Sequence, residues 1–265
     1  MTDISYRRTG KGQIKRFAKL QMKKYRDREG LFLAEGLRTV TELLDHMPDE
    51  SFLTALFVEP GQLQNIPHRK HLREKIFLID PDEGHRLSGT STSQGIVGIF
   101  RQQSEAAFFD GREKSLVIAL DDVQDPGNTG TIVRTAAWFG VSAMVCGPGT
   151  ADRYNPKAIR AGAGSIYCVN HYGVDNLQQE LEKMRKRGFT IFCSSLRGED
   201  FRLRDAWPER IVLVIGNEAN GVSKELTGMA DRLVAIPRGR GEEGVESLNA
   251  AVSAAILIAH LALGY

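Results

Sequence analysis

From residue 115 onward the apolar residues of this chain gather in short runs, separated by longer stretches with helical spacing. SLVIAL (115–120), SAMVC (142–146), IYCVN (166–170), FTIFCS (189–194), IVLVI (211–215) and LVAI (233–236) read as strands. Between them the spacing predicts helices at about 128–139, 155–163, 175–187 and 222–229, and a last one from about 247 to 262. Strands that are continuously apolar and alternate with helices imply a parallel sheet covered on both faces. Such sheets bind ligands beyond the carboxyl ends of their strands. The loops after residues 120, 215 and 236 are therefore the places to look.

The first hundred residues read differently. GQIKRFAKLQMKKYRDR (12–28) predicts one basic amphipathic helix, with Ile14, Phe17, Ala18 and Tyr25 on one side. LFLAEGLRTVTELLDH predicts a strand and a helix beginning near Glu35–Gly36. ALFVE, KIFLID and SQGIVGIF (93–100) add three more strands. The segment RQQSEAAFFDGREK (101–114) is polar and aperiodic, as a linker would be. We therefore expect a small α/β domain over residues 1–105 and a larger α/β domain with a parallel sheet over 106–265.

Charge changes the picture more than overall composition does. The chain has 265 residues and a net charge of +2, yet residues 1–40 carry eleven Lys and Arg against four Asp and Glu, a net of +7, which leaves −5 elsewhere. A basic arm or face of this kind suits a polyanion such as nucleic acid. Lys15, Arg16, Lys19 and Lys23 are the candidate RNA contacts, although a solvated helix face also accounts for them. Three cysteines, Cys146, Cys168 and Cys193, form no CxxC pair and sit in apolar segments, which suggests buried thiols in a reducing compartment. Without an apolar run of about 18 residues or a signal-peptide core, a cytoplasmic location is expected. No metal site is expected, because the histidines form no ligand cluster.

The three loops carry the chemistry. DPGNTG (125–130) is neither GxGxxG nor GxxxxGK[ST], so it lacks the residues of a dinucleotide or Walker loop. Asn128 is expected to cap the following helix. Arg134 lies among the apolar Ile132, Val133, Ala136 and Ala137. It is either a surface arginine or a guanidinium aimed at a phosphate or a reacting oxygen. In VLVIGNEANGVSKEL (212–226), Glu218 follows a strand end, either as a turn residue or as a carboxylate in the crevice. In VAIPRGRGEEGVESLNAAVSAAILIAHLALGY (234–265), Ser247 is placed at a helix start and Asn249 in the first turn of an apolar helix. A buried amide there requires partners.

Taken together, DPGNTGTIVRTA, VIGNEANGVS and IPRGRGEEGVESLNAAVSAA resemble the three ordered motifs of the SpoU (TrmH-type) RNA ribose 2′-O-methyltransferases, in the SPOUT superfamily. Residues 12–45 and SQGIVGIF resemble that family's substrate-binding domain, so the resemblance spans nearly the whole chain. It implies a SPOUT catalytic domain with a deep trefoil knot, S-adenosylmethionine as cofactor, and a homodimer formed through the catalytic domain. It assigns catalytic or RNA-positioning places to Arg134, Asn128, Glu218, Ser247 and Asn249. Cofactor contacts would come from Gly216, Asn217, Ile236 and Leu248, largely through their backbones. It also implies a structured RNA substrate, with ribosomal RNA favoured and transfer RNA the alternative. Within such a site Glu218 could hold Arg134, since an Arg–carboxylate pair has well-defined geometry. One departure is the loop RGRGEEGVE, with Arg238, Arg240, Glu242 and Glu243, where the family has a shorter loop. A non-catalytic RNA-binding protein and a nicotinamide-dependent oxidoreductase are the rival readings.

Overall fold

A computed structural model of the chain describes residues 6–67, 70–90, 93–104, 113–203, 206–239 and 246–264. Most of the linker read at 101–114, and Arg240, Glu242 and Glu243, lie outside the described residues. The chain forms two compact units, Met1–Ser104 with Asp152–Tyr167, and Glu105–Ala151 with Cys168–Tyr265. Elements are numbered along the chain.

The first unit contains β1 (Arg7–Arg8), α1 (Lys11–Ala18), α2 (Lys23–Glu29), β2 (Leu31–Glu35), α3 (Leu37–His46), β3 (Leu53–Val58), β4 (Ile76–Leu78), α4 (Pro81–Ser88) and β5 (Ile96–Arg101). The sheet order is β1-β4-β3-β5-β2, with β5 antiparallel to both of its neighbours. Ile14 and Phe17 from α1 pack with Leu33, Phe57, Val97 and Ile99 in the core.

The single helix expected at 12–28 is broken by a 3₁₀ turn, Lys19–Gln21, and by Met22 in extended conformation. The break has a physical partner in Arg26, which α2 turns inward until it is 1% exposed. Its Nη1 donates to the carbonyls of Leu20 and Gln21 at 2.7 and 2.8 Å, two acceptors that a continuous helix would have used itself. Its Nε and Nη2 donate to Asp152 at 2.9 and 2.5 Å. A buried guanidinium has to be satisfied in this way.

Asp152 opens the segment that completes this unit, with α6 at Pro156–Ala161. Tyr154 packs on Phe32 with ring centroids 5.0 Å apart, and its hydroxyl accepts a hydrogen bond from the Gln103 amide at 2.9 Å. The strand expected at 166–170 does not form there. Ile166 and Tyr167 lie in a 3₁₀ turn, because Tyr167 sits among Phe32, Phe52 and Phe100 and donates to the Arg101 carbonyl. The strand itself runs four residues later.

The second unit contains β6 (Ser115–Leu120), α5 (Pro126–Trp138), β7 (Ala143–Cys146), β8 (Asn170–Gly173), α7 (Leu177–Lys186), β9 (Thr190–Asp200), β10 (Arg210–Ile215), α8 (Lys224–Met229), β11 (Arg232–Ala235) and α9 (Ala250–Leu263). Every pairing in its six-stranded sheet is parallel, in the order β11-β9-β10-β6-β7-β8. Val117, Val145, Ile191, Val212 and Val214 form the centre of its core. Strand order runs outward from β6 to β8 and then resumes on the other side with β10 and β9. The switch point lies between β6 and β10, whose ends are aligned by the Leu120–Ile215 pairing. The loops after 120 and 215 therefore leave the sheet side by side.

Of the three cysteines expected to be buried, Cys146 and Cys193 are, and Cys168 is exposed. Cys168 falls between the 3₁₀ turn and β8, so the apolar strand that would have enclosed it is absent. Burial pushes the Cys193 thiol up to about 12, reinforced by the carboxylates of Asp121 and Asp231. Among the described residues no helix is long and apolar enough to cross a membrane.

Candidate active site at the strand ends

The site is built by three loops of the second unit. After β6 the backbone turns through Asp122, a non-glycine residue in the left-handed region at φ 57°. Asp125 caps α5 by accepting from the Asn128 amide at 3.0 Å, and Pro126 occupies the first helical turn. Asn128 was expected to be that cap. Because Asp125 takes the role, the Asn128 side chain is left free to reach the other loops.

Its Nδ2 donates to Glu218 Oε1 at 2.8 Å, and its Oδ1 accepts from Asn249 Nδ2 at 3.0 Å. The other Glu218 oxygen accepts from the Gln124 amide at 3.4 Å. Only this amide orientation works, because a carboxylate can only accept. One asparagine from each of two loops and one glutamate from the third thus form a continuous chain, Glu218–Asn128–Asn249.

Asn249 was expected inside the first turn of a buried helix. It is instead the exposed N-cap of α9, its Oδ1 accepting from the amides of Ala251 and Val252 at 2.9 and 3.2 Å. With Oδ1 engaged by these amides, Nδ2 faces Asn128 and donates to it. Ser247 lies upstream of the helix, exposed, and makes no hydrogen bond among the described residues. Arg134 lies further along α5, also exposed and without hydrogen bond or ion pair among the described residues. Glu218 does not hold it, since that carboxylate is committed to Asn128 and Gln124.

The loop after β10 is a tight hairpin. Asn217 and Gly221 exchange backbone hydrogen bonds of 3.0 and 2.9 Å, and Asn217 Oδ1 accepts from the amides of Ala219 and Asn220. Asn217 Nδ2 donates to the Asp122 carbonyl and carboxylate at 2.9 and 3.0 Å. Gly216 is the pinch point, for a Cβ there would lie 2.2 Å from the Gly221 carbonyl carbon and the Val222 nitrogen. The Ser223 amide donates to Asp121 at 2.7 Å, tying the hairpin back to the end of β6. Asp121 and Asp122 were missed by sequence reasoning. The available signal was a pair of carboxylates directly after an apolar strand, in ALDDVQ.

Ile236 is half-buried just after β11, and Leu248 is 46% exposed despite being apolar. No backbone hydrogen bond outside helices and strands engages either residue among the described residues. The exposed Leu248 side chain and the half-buried Ile236 side chain offer apolar surface of the kind that suits a neutral, flat group such as adenine. They do not form a phosphate cradle, which needs converging amides or cations. This surface fits S-adenosylmethionine. Among the described residues no group of three or more His, Cys, Asp or Glu is placed to hold a metal ion.

The profile of the SpoU rRNA Methylase family matches residues 115–259, and that of the MRM3-like substrate binding domain matches residues 11–98. The chain is 29% identical to the Bacillus subtilis 23S rRNA (guanosine(2553)-2′-O)-methyltransferase RlmP, over 94% of this chain and 95% of that one. Among solved structures, a putative RNA methyltransferase of the TrmH family from Porphyromonas gingivalis superposes with a TM-score of 0.79 at 30% identity, covering 96% of this chain and 98% of the other. An AdoMet-bound rRNA methyltransferase from Sinorhizobium meliloti gives 0.80 at 29% identity, covering 95% and 94%. The chain belongs to the SpoU rRNA methylase family.

Proposed function

We propose that the strand-end crevice transfers a methyl group from S-adenosylmethionine to a ribose 2′-hydroxyl of ribosomal RNA. The observation that carries this reading is the Glu218–Asn128–Asn249 chain, which holds the three family motifs together at one point of the sheet. Gly216, Asn217, Ile236 and Leu248 would hold the cofactor through backbone groups, inside a loop region that the family threads as a trefoil knot. When bound, the cofactor would supply a methyl on a positively charged sulfur, the carbon–sulfur bond breaking to a neutral thioether as the carbon–oxygen bond forms.

The chain's own residues must place the nucleophilic oxygen and handle its proton. An arginine side chain offers five N–H donors and no acceptor, so Arg134 is not assigned the role of base. Arg134 instead binds the phosphate beside the target ribose, bringing a non-bridging oxygen to accept the 2′ proton. The Glu218–Asn128–Asn249 chain fixes the loops that present the ribose, and Ser247 hydrogen-bonds the sugar. Holding nucleophile and electrophile in line is worth several kcal/mol, up to roughly 7–11 in well-oriented systems.

The same reading includes an RNA-binding domain at residues 1–105, a catalytic domain at 106–265 of which Asp152–Tyr167 belong to the first compact unit, a cytoplasmic location and a homodimer. Val252, Ile256 and Leu263 on α9 and Trp138 on α5, the last 85% exposed, are an apolar surface of the kind a second copy covers. Arg134 lies four residues before Trp138 and shares its face of α5. A dimer through that face would place Arg134 at the junction of two copies, in keeping with its lack of a partner within the described residues of one chain. The test is incubation of ribosomal RNA with methyl-labelled S-adenosylmethionine, followed by digestion to nucleosides. Label in 2′-O-methylnucleosides is expected. Label confined to the bases, or no transfer despite cofactor binding, would overturn the reading.

A further inference from the structure

The basic residues of the amino-terminal unit divide into two sets. Arg16 and Arg28 are taken up by Glu29 at 2.9 and 3.1 Å, and Lys23 by Asp27 at 2.7 Å. The two arginines outweigh the burial of Glu29 and hold its carboxyl below the usual range. Lys11, Lys15 and Arg86 have no hydrogen bond or ion pair from their side chains among the described residues. These three border one feature, an open groove of about 560 Å³ between α1 and α4. Its floor is apolar, formed by Ile14, Ala18 and Met22, and Met22 is 49% exposed. Lys19 also lines it, resting on the Tyr25 ring, and Glu83 is tied back to the Asp80 amide in the capping box of α4.

We propose that this groove seats one unpaired nucleotide of the RNA substrate, its base on the Ile14, Ala18 and Met22 floor and its flanking phosphates on Lys11, Lys15 and Arg86. The inference rests on the RNA-methyltransferase reading. The size of the groove falls within the range of pockets that enclose a nucleotide-sized ligand. Cations without protein partners around an apolar floor complement a strand whose charge lies on the phosphates and whose bases are flat and poorly hydrated. A thioether is a favourable neighbour for an aromatic face, and RNA recognition commonly captures splayed-out bases of single-stranded regions. A duplex offers no base to such a floor. Lys15 and Lys19 of the four basic residues singled out in the sequence belong to this groove, while Arg16 and Lys23 have acidic partners.

The experiment uses the full chain and fluorescence anisotropy, with three probes of equal length: a single-stranded RNA, its duplex, and an abasic ribose–phosphate strand. Wild type is expected to prefer the base-bearing single strand. Met22→Ala should weaken that binding about three- to tenfold and remove the preference over the abasic strand, with the salt slope unchanged. The triple variant Lys11→Ala/Lys15→Ala/Arg86→Ala should lower the salt slope by about 2, near 0.7 for each phosphate that is no longer neutralised. Arg16→Ala/Lys23→Ala should change it by less. If the triple variant flattens the slope but Met22→Ala keeps the base preference, the groove is only a phosphate track and the proposal is overturned. It is overturned equally if neither variant differs from wild type. Methyl transfer to ribosomal RNA is followed in parallel. Transfer that persists while the groove variants bind normally sinks the groove alone, whereas groove-dependent binding without transfer sinks the enzymatic reading alone.

Discussion

Gly216→Ala is the most sharply specified perturbation of the site. The added methyl would lie 2.2 Å from the Gly221 carbonyl carbon and the Val222 nitrogen, well inside van der Waals contact. Neither atom belongs to a side chain that could rotate away. The facing strand of the hairpin is pinned by the two Asn217–Gly221 hydrogen bonds and by the Ser223 amide on Asp121. Relief requires the hairpin to open by about 1 Å, with loss or stretching of those bonds. Overpacking against well-fixed neighbours costs about 1–3 kcal/mol. For a unit of this size that corresponds to a Tm lower by roughly 2–12 °C. Because the same hairpin positions Asn217 and Glu218, cofactor affinity should fall at least tenfold even where the fold survives. Calorimetric melting and titration with S-adenosylmethionine measure both. A variant with Tm within 1 °C of wild type and unchanged cofactor affinity would refute the close-approach argument.

Three further outcomes follow from the same geometry. Asn128→Ala removes the link between Glu218 and Asn249, and because both partners are solvent-exposed the loss of stability should stay near or below about 1 kcal/mol while kcat falls far more than cofactor affinity, read by single-turnover transfer; equal losses in stability and rate would contradict a positioning role. Arg26→Met leaves Asp152 without its partner and two carbonyls without donors, and should destabilise the first unit by about 3–5 kcal/mol in denaturant unfolding; a change below 1 kcal/mol would show the ion pair to be incidental. His260 accepts from Trp207 Nε1 at 3.2 Å and packs edge-on against Phe201, and burial lowers its pKa. Its folded pKa lies below the unfolded value, so its stability contribution is complete above about pH 6.5 and is lost as pH falls through the folded value. Tm measured from pH 7.5 to 5 should therefore decline less in His260→Gln than in wild type, and parallel profiles would refute the assignment.

The second unit was largely legible because its strands are buried on both faces and read as uninterrupted apolar runs, from SLVIAL to LVAI. Its errors arose where burial came from elsewhere. IYCVN carries the composition of a strand, but Ile166 and Tyr167 belong to the first unit, where Tyr167 lies among Phe32, Phe52 and Phe100. Likewise, nothing in the periodicity of residues 12–28 shows that Arg26 turns inward, since its partner Asp152 lies 126 residues away. At the site, the residue types were visible and their pairings were not. Asn128 and Asn249 are both helix-start asparagines by pattern, and only the geometry separates the cap Asn249 from the bridge Asn128. Asp122 escaped notice because its positive φ is a property of the loop it closes with Asn217, rather than of its own neighbours in sequence.

The central claim is that Arg134 and the loops joined by Asn128 form a ribose methyltransferase site. It is tested most directly by single-turnover transfer of labelled methyl from S-adenosylmethionine to ribosomal RNA, by wild type and Arg134→Ala, with cofactor affinity measured on the same samples. The account predicts label in 2′-O-methylnucleosides for wild type, and for Arg134→Ala at least a hundredfold slower transfer with cofactor binding within twofold, in the range typical of removing one electrostatic interaction at a reacting centre. Transfer by Arg134→Ala at the wild-type rate would contradict it.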